Sequence, residues 1–280
     1  MNEETYIEIV FKIADTEYRE MIMAELALNG YDPIIETEEG LICHSLPDIF
    51  SPEILDEVSE HYSEYTSVSW ESRNQPTKNW NEEWEKSYQP VEVENCRIRA
   101  DFHPFDPSFE IDLVINPEMS FGTGHHDTTA GMIRLMLKYP FHDSTVIDAG
   151  TGSGVLAILA SKLGATSIVA FDIEPHVVEN ANQNASKNNS NIKLYCGSVA
   201  ELKHLPEADY FLANINRNVL IDEFPYYHQY TKPGGLLFLS GFYDADLPLI
   251  ENALEKNGFH KVRSETSEHQ WVTLVAQKVA

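Results

Sequence analysis

Three stretches carry residues that could do chemistry: MSFGTGHHDTTAGMIRLM over 119–136, DAGTGSG over 148–154 with Asp172 beyond it, and LANINRN over 212–218. In the second, Gly150, Gly152 and Gly154 sit where an apolar strand should end and a helix begin. Glycine lets a backbone approach a ligand closely, and the N–H groups of a helix N-terminus face whatever lies in the crevice. Asp172 closes the next apolar run, SIVAFD, at the place from which a carboxylate accepts hydrogen bonds from both hydroxyls of a ribose. The dinucleotide fingerprint G-x-G-x-x-G is not matched, because Val155 stands in its last glycine position, and G-x-x-x-x-G-K-[ST] is absent. Strand, glycine loop, helix, strand and acid together imply a nucleoside cofactor without a pyrophosphate.

The first stretch raises a different chemistry. His125, His126 and Asp127, with His103 as a candidate third imidazole, resemble a metal set when read alone. Adjacent histidines in one turn do not easily reach the same ion, so the expectation is no metal. The three cysteines, Cys43, Cys96 and Cys196, stand far apart without a C-x-x-C, which argues against a disulfide framework and a cysteine-based metal site. A reducing cytoplasm fits them best. The third stretch offers Asn214, an amide at a strand end that can orient an amine by accepting its hydrogen.

The elements that must position these groups fall into two textures. Residues 1–73 read as strand, helix, hairpin, helix and strand: YIEIVFKIA, EYREMIMAELALNGY, PIIETEEGLICHSLP, SPEILDEVSEHY and YTSVSWES. Ser51 followed by Pro52 marks a helix start. The β-α-β-β-α-β order predicts a ferredoxin-like α+β module. Over 74–90, Trp80, Trp84 and Tyr88 recur every four residues between prolines, which predicts a linker helix packing one aromatic face. Residues 91–280 then form a larger domain. VEVENCRIRADFHPF and FEIDLVINPEM read as short strands; from Ser144 onward, continuous apolar runs (TVIDAG, SIVAFD, IKLYCGS, DYFLANI, GLLFLSGF, WVTLVAQ) alternate with helical segments. That alternation predicts an α/β fold with a parallel sheet covered on both faces. Lys232-Pro-Gly-Gly235 reads as a turn entering a buried strand.

At 280 residues the chain is long enough to bury a core unaided. A formal charge of −26 repels phosphate backbones, so no sequence-specific nucleic-acid surface is expected, and it attracts a basic partner. The acidic start MNEETYIEIV lacks the cationic lead of a secretory signal, and no run reaches the length of a membrane span.

D-x-G-x-G-x-G resembles the first motif of class I methyltransferases that use S-adenosylmethionine. With FGTGHHDTT, FDIEPHVVENANQNASKNN and LANINRNVL…TKPGGLLFLSGF in this order, the chain is similar to the ribosomal protein L11 methyltransferase (PrmA) family. The resemblance implies a Rossmann-like seven-stranded methyltransferase domain after a small substrate-recognition domain and a linker helix. It also implies S-adenosylmethionine as cofactor and ribosomal protein L11 as substrate, methylated on lysine or N-terminal amines; the negative charge points to a monomer in solution. Carried over residue by residue, Phe121, Gly122, Thr129, Gly150, Gly152, Asp172 and Asn214 hold the cofactor, and Asn214 also orients the amine. Where the family has Thr-His-Pro, this chain has His125-His126-Asp127, so His126 alone matches. After Asn214 it has Ile215-Asn216-Arg217-Asn218 in place of small or apolar residues, and Ile215 excludes the N-P-P-[YF] signature of amide and base methylation. Two other readings remain: the same domain methylating another protein or a small molecule, and a ribosome-assembly protein that keeps the cofactor fold without activity.

Overall fold

A computed structural model describes residues 6–31, 33–37, 39–47, 49–75, 88–116, 124 and 126–279. Contacts divide the chain into two compact units, Met1–Tyr88 and Gln89–Ala280.

The first unit alternates β1 (Tyr6–Ile13), α1 (Arg19–Leu28), β2 (Ile34–Glu36), β3 (Gly40–Ser45), α2 (Pro52–Ser63) and β4 (Val68–Gln75). Its sheet runs β2-β3-β1-β4, all neighbours antiparallel, which is the ferredoxin-like arrangement the order of elements predicts. Alternation sends Ile7, Ile9, Phe11 and Ile13 to one face of β1, where they meet Ile22 and Leu26 of α1 and Leu55 and Val58 of α2. Ser51 caps α2 by accepting the Ile54 N–H at 3.4 Å, and Pro52 occupies the first turn. The helix expected around Trp80 and Trp84 lies outside the described residues.

The second unit opens with a small sheet, β5 (Val91–Val93), β6 (Cys96–Arg99) and β7 (Ile111–Val114), followed by α3 (Asp127–Met136). Then come β8 (Thr145–Ala149), α4 (Val155–Lys162), β9 (Ser167–Asp172), α5 (Pro175–Lys187), β10 (Lys193–Cys196) and β11 (Ala208–Asn214). The chain ends through α6 (Arg217–Tyr230), β12 (Thr231–Tyr243), α7 (Leu247–Lys256), β13 (Phe259–Thr266) and β14 (Trp271–Lys278). The sheet order is β10-β9-β8-β11-β12-β14-β13; β14 alone runs antiparallel to both of its neighbours. Chain order reverses between β8 and β11, so their carboxyl ends open a crevice where open α/β sheets bind ligands. One face of the sheet packs on α3 and α4 through Met132, Leu135, Ile158 and Leu159; the other packs on α6 and α7 through Leu220, Phe224, Ile250 and Leu254.

The Lys232–Gly235 turn is folded into the β12 span: two β11 residues, Ala208 and Tyr210, pair with Thr231 and Leu236, so the intervening four bulge out of the ladder. Gly131 brings α3 against β14, since a Cβ there would lie 2.2 Å from Thr273 Oγ1. Gly131→Ala is expected to destabilise the second unit by ~1–3 kcal/mol through overpacking, read as a lower midpoint in denaturant unfolding. An unchanged midpoint would show that α3 shifts freely on the sheet.

Candidate active site

The crevice at the strand reversal holds a cavity of about 270 Å³ lined by Thr129, Gly150–Gly152, Val155, Leu156, Phe171–Ile173, Gly197, Ser198, Asn214–Asn216, Val219 and Glu223. Each group arrives by strand-end geometry. Gly150, Gly152 and Gly154 follow β8 with φ of 64°, 54° and 83°, a left-handed path that lets the loop turn sharply into α4. Gly154 is the residue before the helix, so the N-terminus of α4 opens beside the cavity. A Cβ on Gly150 would stand 2.3 Å from Ile215 Cγ2, so the backbone of one strand end fits against the side chain that follows another.

Asp172 ends β9 with its carboxylate between two N–H groups: Gly152 N–H donates to Oδ2 at 3.1 Å and Glu174 N–H to Oδ1 at 3.3 Å. Each oxygen keeps a further lone pair, the inventory needed to accept two vicinal hydroxyls. Behind the loop, Asp148 is buried and accepts the Thr151 hydroxyl at 2.6 Å. Burial pushes the Asp148 carboxyl up to about 7, with the nearby Asp172 charge acting in the same direction. A carboxyl that holds its proton more tightly when folded stabilises the fold most below the unfolded pKa near 4, and this contribution is lost as pH rises through about 7. Asp148→Asn keeps an acceptor for Thr151 and has no proton to lose. Thermal unfolding of the two proteins from pH 4 to 8 should show the wild type losing on the order of a few kcal/mol relative to the variant; parallel pH profiles would refute the assignment.

At the other end of the cavity, Thr129 and Asn214 come together. Thr129 is fully buried on α3, and its Oγ1 accepts from Asn214 Nδ2 at 3.3 Å. That bond leaves the buried amide oxygen Oδ1 of Asn214, a residue of the cavity wall, without a partner among the described residues. A buried carbonyl with no donor is costly, which makes this oxygen a place for an incoming N–H.

His126 and His103 have other partners. His126 is the N-cap of α3: its Nδ1 accepts the Thr128 N–H at 3.3 Å, and its ring meets Trp271 edge-on at 4.8 Å. Asp127 is already the first helical residue and bonds His269 Nδ1 at 2.9 Å, while His103 Nδ1 accepts the Ala100 N–H at 3.2 Å. Among the described residues no three metal-ligating side chains converge. Phe121, Gly122 and His125 lie outside the described residues. Five of the sequence-predicted residues, Thr129, Gly150, Gly152, Asp172 and Asn214, line one cavity. Sequence reasoning missed Ile173, Gly197, Ser198, Val219 and Glu223; the signal was their position just past the ends of β9 and β10 and on the first turns after β11.

A family model described as ribosomal protein L11 methyltransferase (PrmA) matches residues 18–279 of this chain. The chain belongs to the ribosomal protein L11 methyltransferase family. Curated members include a protein of Porphyromonas gingivalis, 38% identical over 93% of this chain and 90% of its own, and one of Phocaeicola vulgatus, 34% identical over 96% and 98%. Among solved structures, the ribosomal protein L11 methylase of Lactobacillus delbrueckii subsp. bulgaricus matches at 28% identity with a TM-score of 0.63, covering 69% of this chain and 99% of that one. A methyltransferase from Pyrococcus furiosus matches at 16% identity, TM-score 0.50, over 60% of this chain and 90% of its own, which shows a shared fold. For a ribosomal protein L11 methyltransferase family member, the reversal crevice with its glycine loop and strand-end acid is the place to look for the methyl donor.

Proposed function

We propose that this chain transfers methyl groups from S-adenosylmethionine to amine nitrogens of ribosomal protein L11, on lysine side chains and at its amino terminus. The observation that carries the reading is one cavity lined by a glycine cradle, by Asp172 and by Asn214, whose amide oxygen has no partner among the described residues. The residues fit this cofactor: Gly150 and Gly152 admit close backbone approach, Asp172 has lone pairs for the ribose hydroxyls, and Phe171, Val155 and Leu156 supply apolar wall. When bound, S-adenosylmethionine supplies an electrophilic methyl group on a sulfonium.

The protein's own part is alignment and dehydration. An ammonium has no lone pair, so the acceptor must shed a proton from a group whose ordinary pKa is about 10.4. Asn214 Oδ1 then accepts one remaining N–H and turns the lone pair toward the donor. Thr129 fixes the amide so that the oxygen, and not the nitrogen, faces the acceptor. The acidic surface draws in a basic substrate, and the ferredoxin-like unit supplies substrate recognition. The same reading makes the enzyme a cytoplasmic monomer without sequence-specific nucleic-acid contacts. No helix among the described residues is long and apolar enough to cross a membrane.

Incubation with labelled S-adenosylmethionine and purified ribosomal proteins, followed by mass spectrometry, tests the substrate. Label on lysines of L11 is the expected result; label confined to another protein would move the substrate, and cofactor binding without transfer would leave only a binding protein. Asp172→Ala is expected to weaken S-adenosylhomocysteine binding by ~1–3 kcal/mol, because ribose hydroxyls lose their acceptors. Calorimetry showing wild-type affinity would remove Asp172 from the site.

A further inference from the structure

The cavity extends past Asp172 to a region built from Ile173, Gly197, Ser198, Val219 and Glu223. Resting on the cofactor reading above, a ribose held at Asp172 with its methionine arm toward Gly150 and Asn214 directs its base into this end. Ile173, exposed and apolar, and Val219, on the first turn of α6, provide two flat apolar surfaces for a ring. Three donors here are already committed. Gly197 N–H donates to the Asp172 carbonyl at 2.9 Å, and both the N–H and the hydroxyl of Ser198 donate to Glu201 Oε2, at 2.9 and 2.8 Å.

Glu223 stands one turn beyond Val219 on the same face of α6. It is held from behind: the fully buried Tyr227 donates its hydroxyl to Glu223 Oε2 at 2.6 Å. This bond fixes the carboxylate and leaves Oε1 with its accepting capacity. A half-buried carboxylate reserved at a cavity wall is costly unless a donor meets it, and adenine presents such a donor, its exocyclic amine, at the edge away from the ribose.

We propose that Glu223 is the residue of this chain that selects an adenine base, its Oε1 accepting the exocyclic amine while Tyr227 holds the carboxylate in place. A 6-oxo base puts a carbonyl in place of that amine and sets two acceptors against each other, so the site should reject it. Glutamine at 223 can still take the Tyr227 hydroxyl but adds an N–H₂ donor that suits a 6-oxo base.

Calorimetric titration of the full chain with S-adenosylhomocysteine and with S-inosylhomocysteine, its 6-oxo analogue, tests this without turnover. The wild type should prefer the adenosyl compound by on the order of 10–100-fold. Glu223→Gln should shrink or reverse that ratio while retaining the wild-type circular dichroism spectrum. Equal wild-type affinities for the two compounds, or an undiminished preference in Glu223→Gln, would overturn the assignment to Glu223 and leave the cofactor reading intact. Failure of the wild type to bind either compound would overturn the cofactor reading and this inference with it. The wild-type comparison needs no substitution, so it stands even if the variant does not fold.

Discussion

Gly150→Ala should lower affinity for S-adenosylhomocysteine at least ~100-fold, the loss expected when a misplaced group closes a site built for close approach. Two effects act together. The residue has φ of 64°, a conformation that costs an L side chain ~1–2 kcal/mol. The added Cβ would also meet Ile215 Cγ2 at 2.3 Å, far inside van der Waals contact, and Ile215 itself lines the cavity. Relief of the clash must move either the glycine loop or the chain just after Asn214, and both are walls of the site. Gly234→Ala separates the terms, because Gly234 has a similar φ of 75° and nothing within 4 Å of the position its Cβ would take. That variant should lose stability from strain alone and keep cofactor affinity. Equal behaviour of the two variants in calorimetry would show that the Gly150–Ile215 contact does not shape the pocket.

The legible and illegible parts of this molecule differ in how locally their signals are written. Strands buried on both faces, such as β8, β9 and β11, appear as continuous apolar runs, and the acid and glycines fall at their ends because ligands in this fold bind there. The ferredoxin-like unit is legible by other local signals: burial alternates along β1 from Ile7 to Ile13, and α2 carries a serine cap with proline behind it. By contrast, β13 is an edge strand whose central residues, His260 to Arg263, are exposed, so nothing in FHKVRSET alternates toward a core. Helix α6 is obscured by Pro225 in its interior and by polar residues around Leu220, Phe224 and Tyr227, its buried side chains.

The site shows the same division. The glycine loop and Asp172 announce themselves by spacing. The far end of the cavity does not, because Ile173, Ser198, Val219 and Glu223 come from three separate strand ends and become neighbours only when the sheet order is known. His126 shows the reverse case: its role as the cap of α3 and its ring contact to Trp271 become visible only once the helix start is placed. Asn214 was legible as a strand-end amide, but the orientation of its amide required Thr129, 85 positions away in sequence.

That orientation gives the second large effect: Asn214→Ala should reduce kcat by on the order of 100-fold, the scale of a misaligned acceptor. The buried Oδ1 has no partner among the described residues, so its removal orphans no donor among them, and the loss falls on whatever N–H it was placed to receive. If that N–H belongs to the acceptor amine, kcat falls while the Kd of S-adenosylhomocysteine changes by less than about 3-fold. If it belongs to the cofactor, the Kd rises and single-turnover rates at saturating cofactor stay near wild type, which would remove Asn214 from the acceptor side. Thr129→Val supplies the control. It deletes the oxygen that accepts from Asn214 Nδ2 at 3.3 Å, so the amide can rotate and present its N–H₂ to the acceptor for part of the time. A loss of about 10-fold follows from partial misorientation, and the double variant should be no slower than Asn214→Ala alone, because two residues acting through one oxygen are not additive. Multiplicative losses in the double variant would show instead that Thr129 and Asn214 serve the reaction independently.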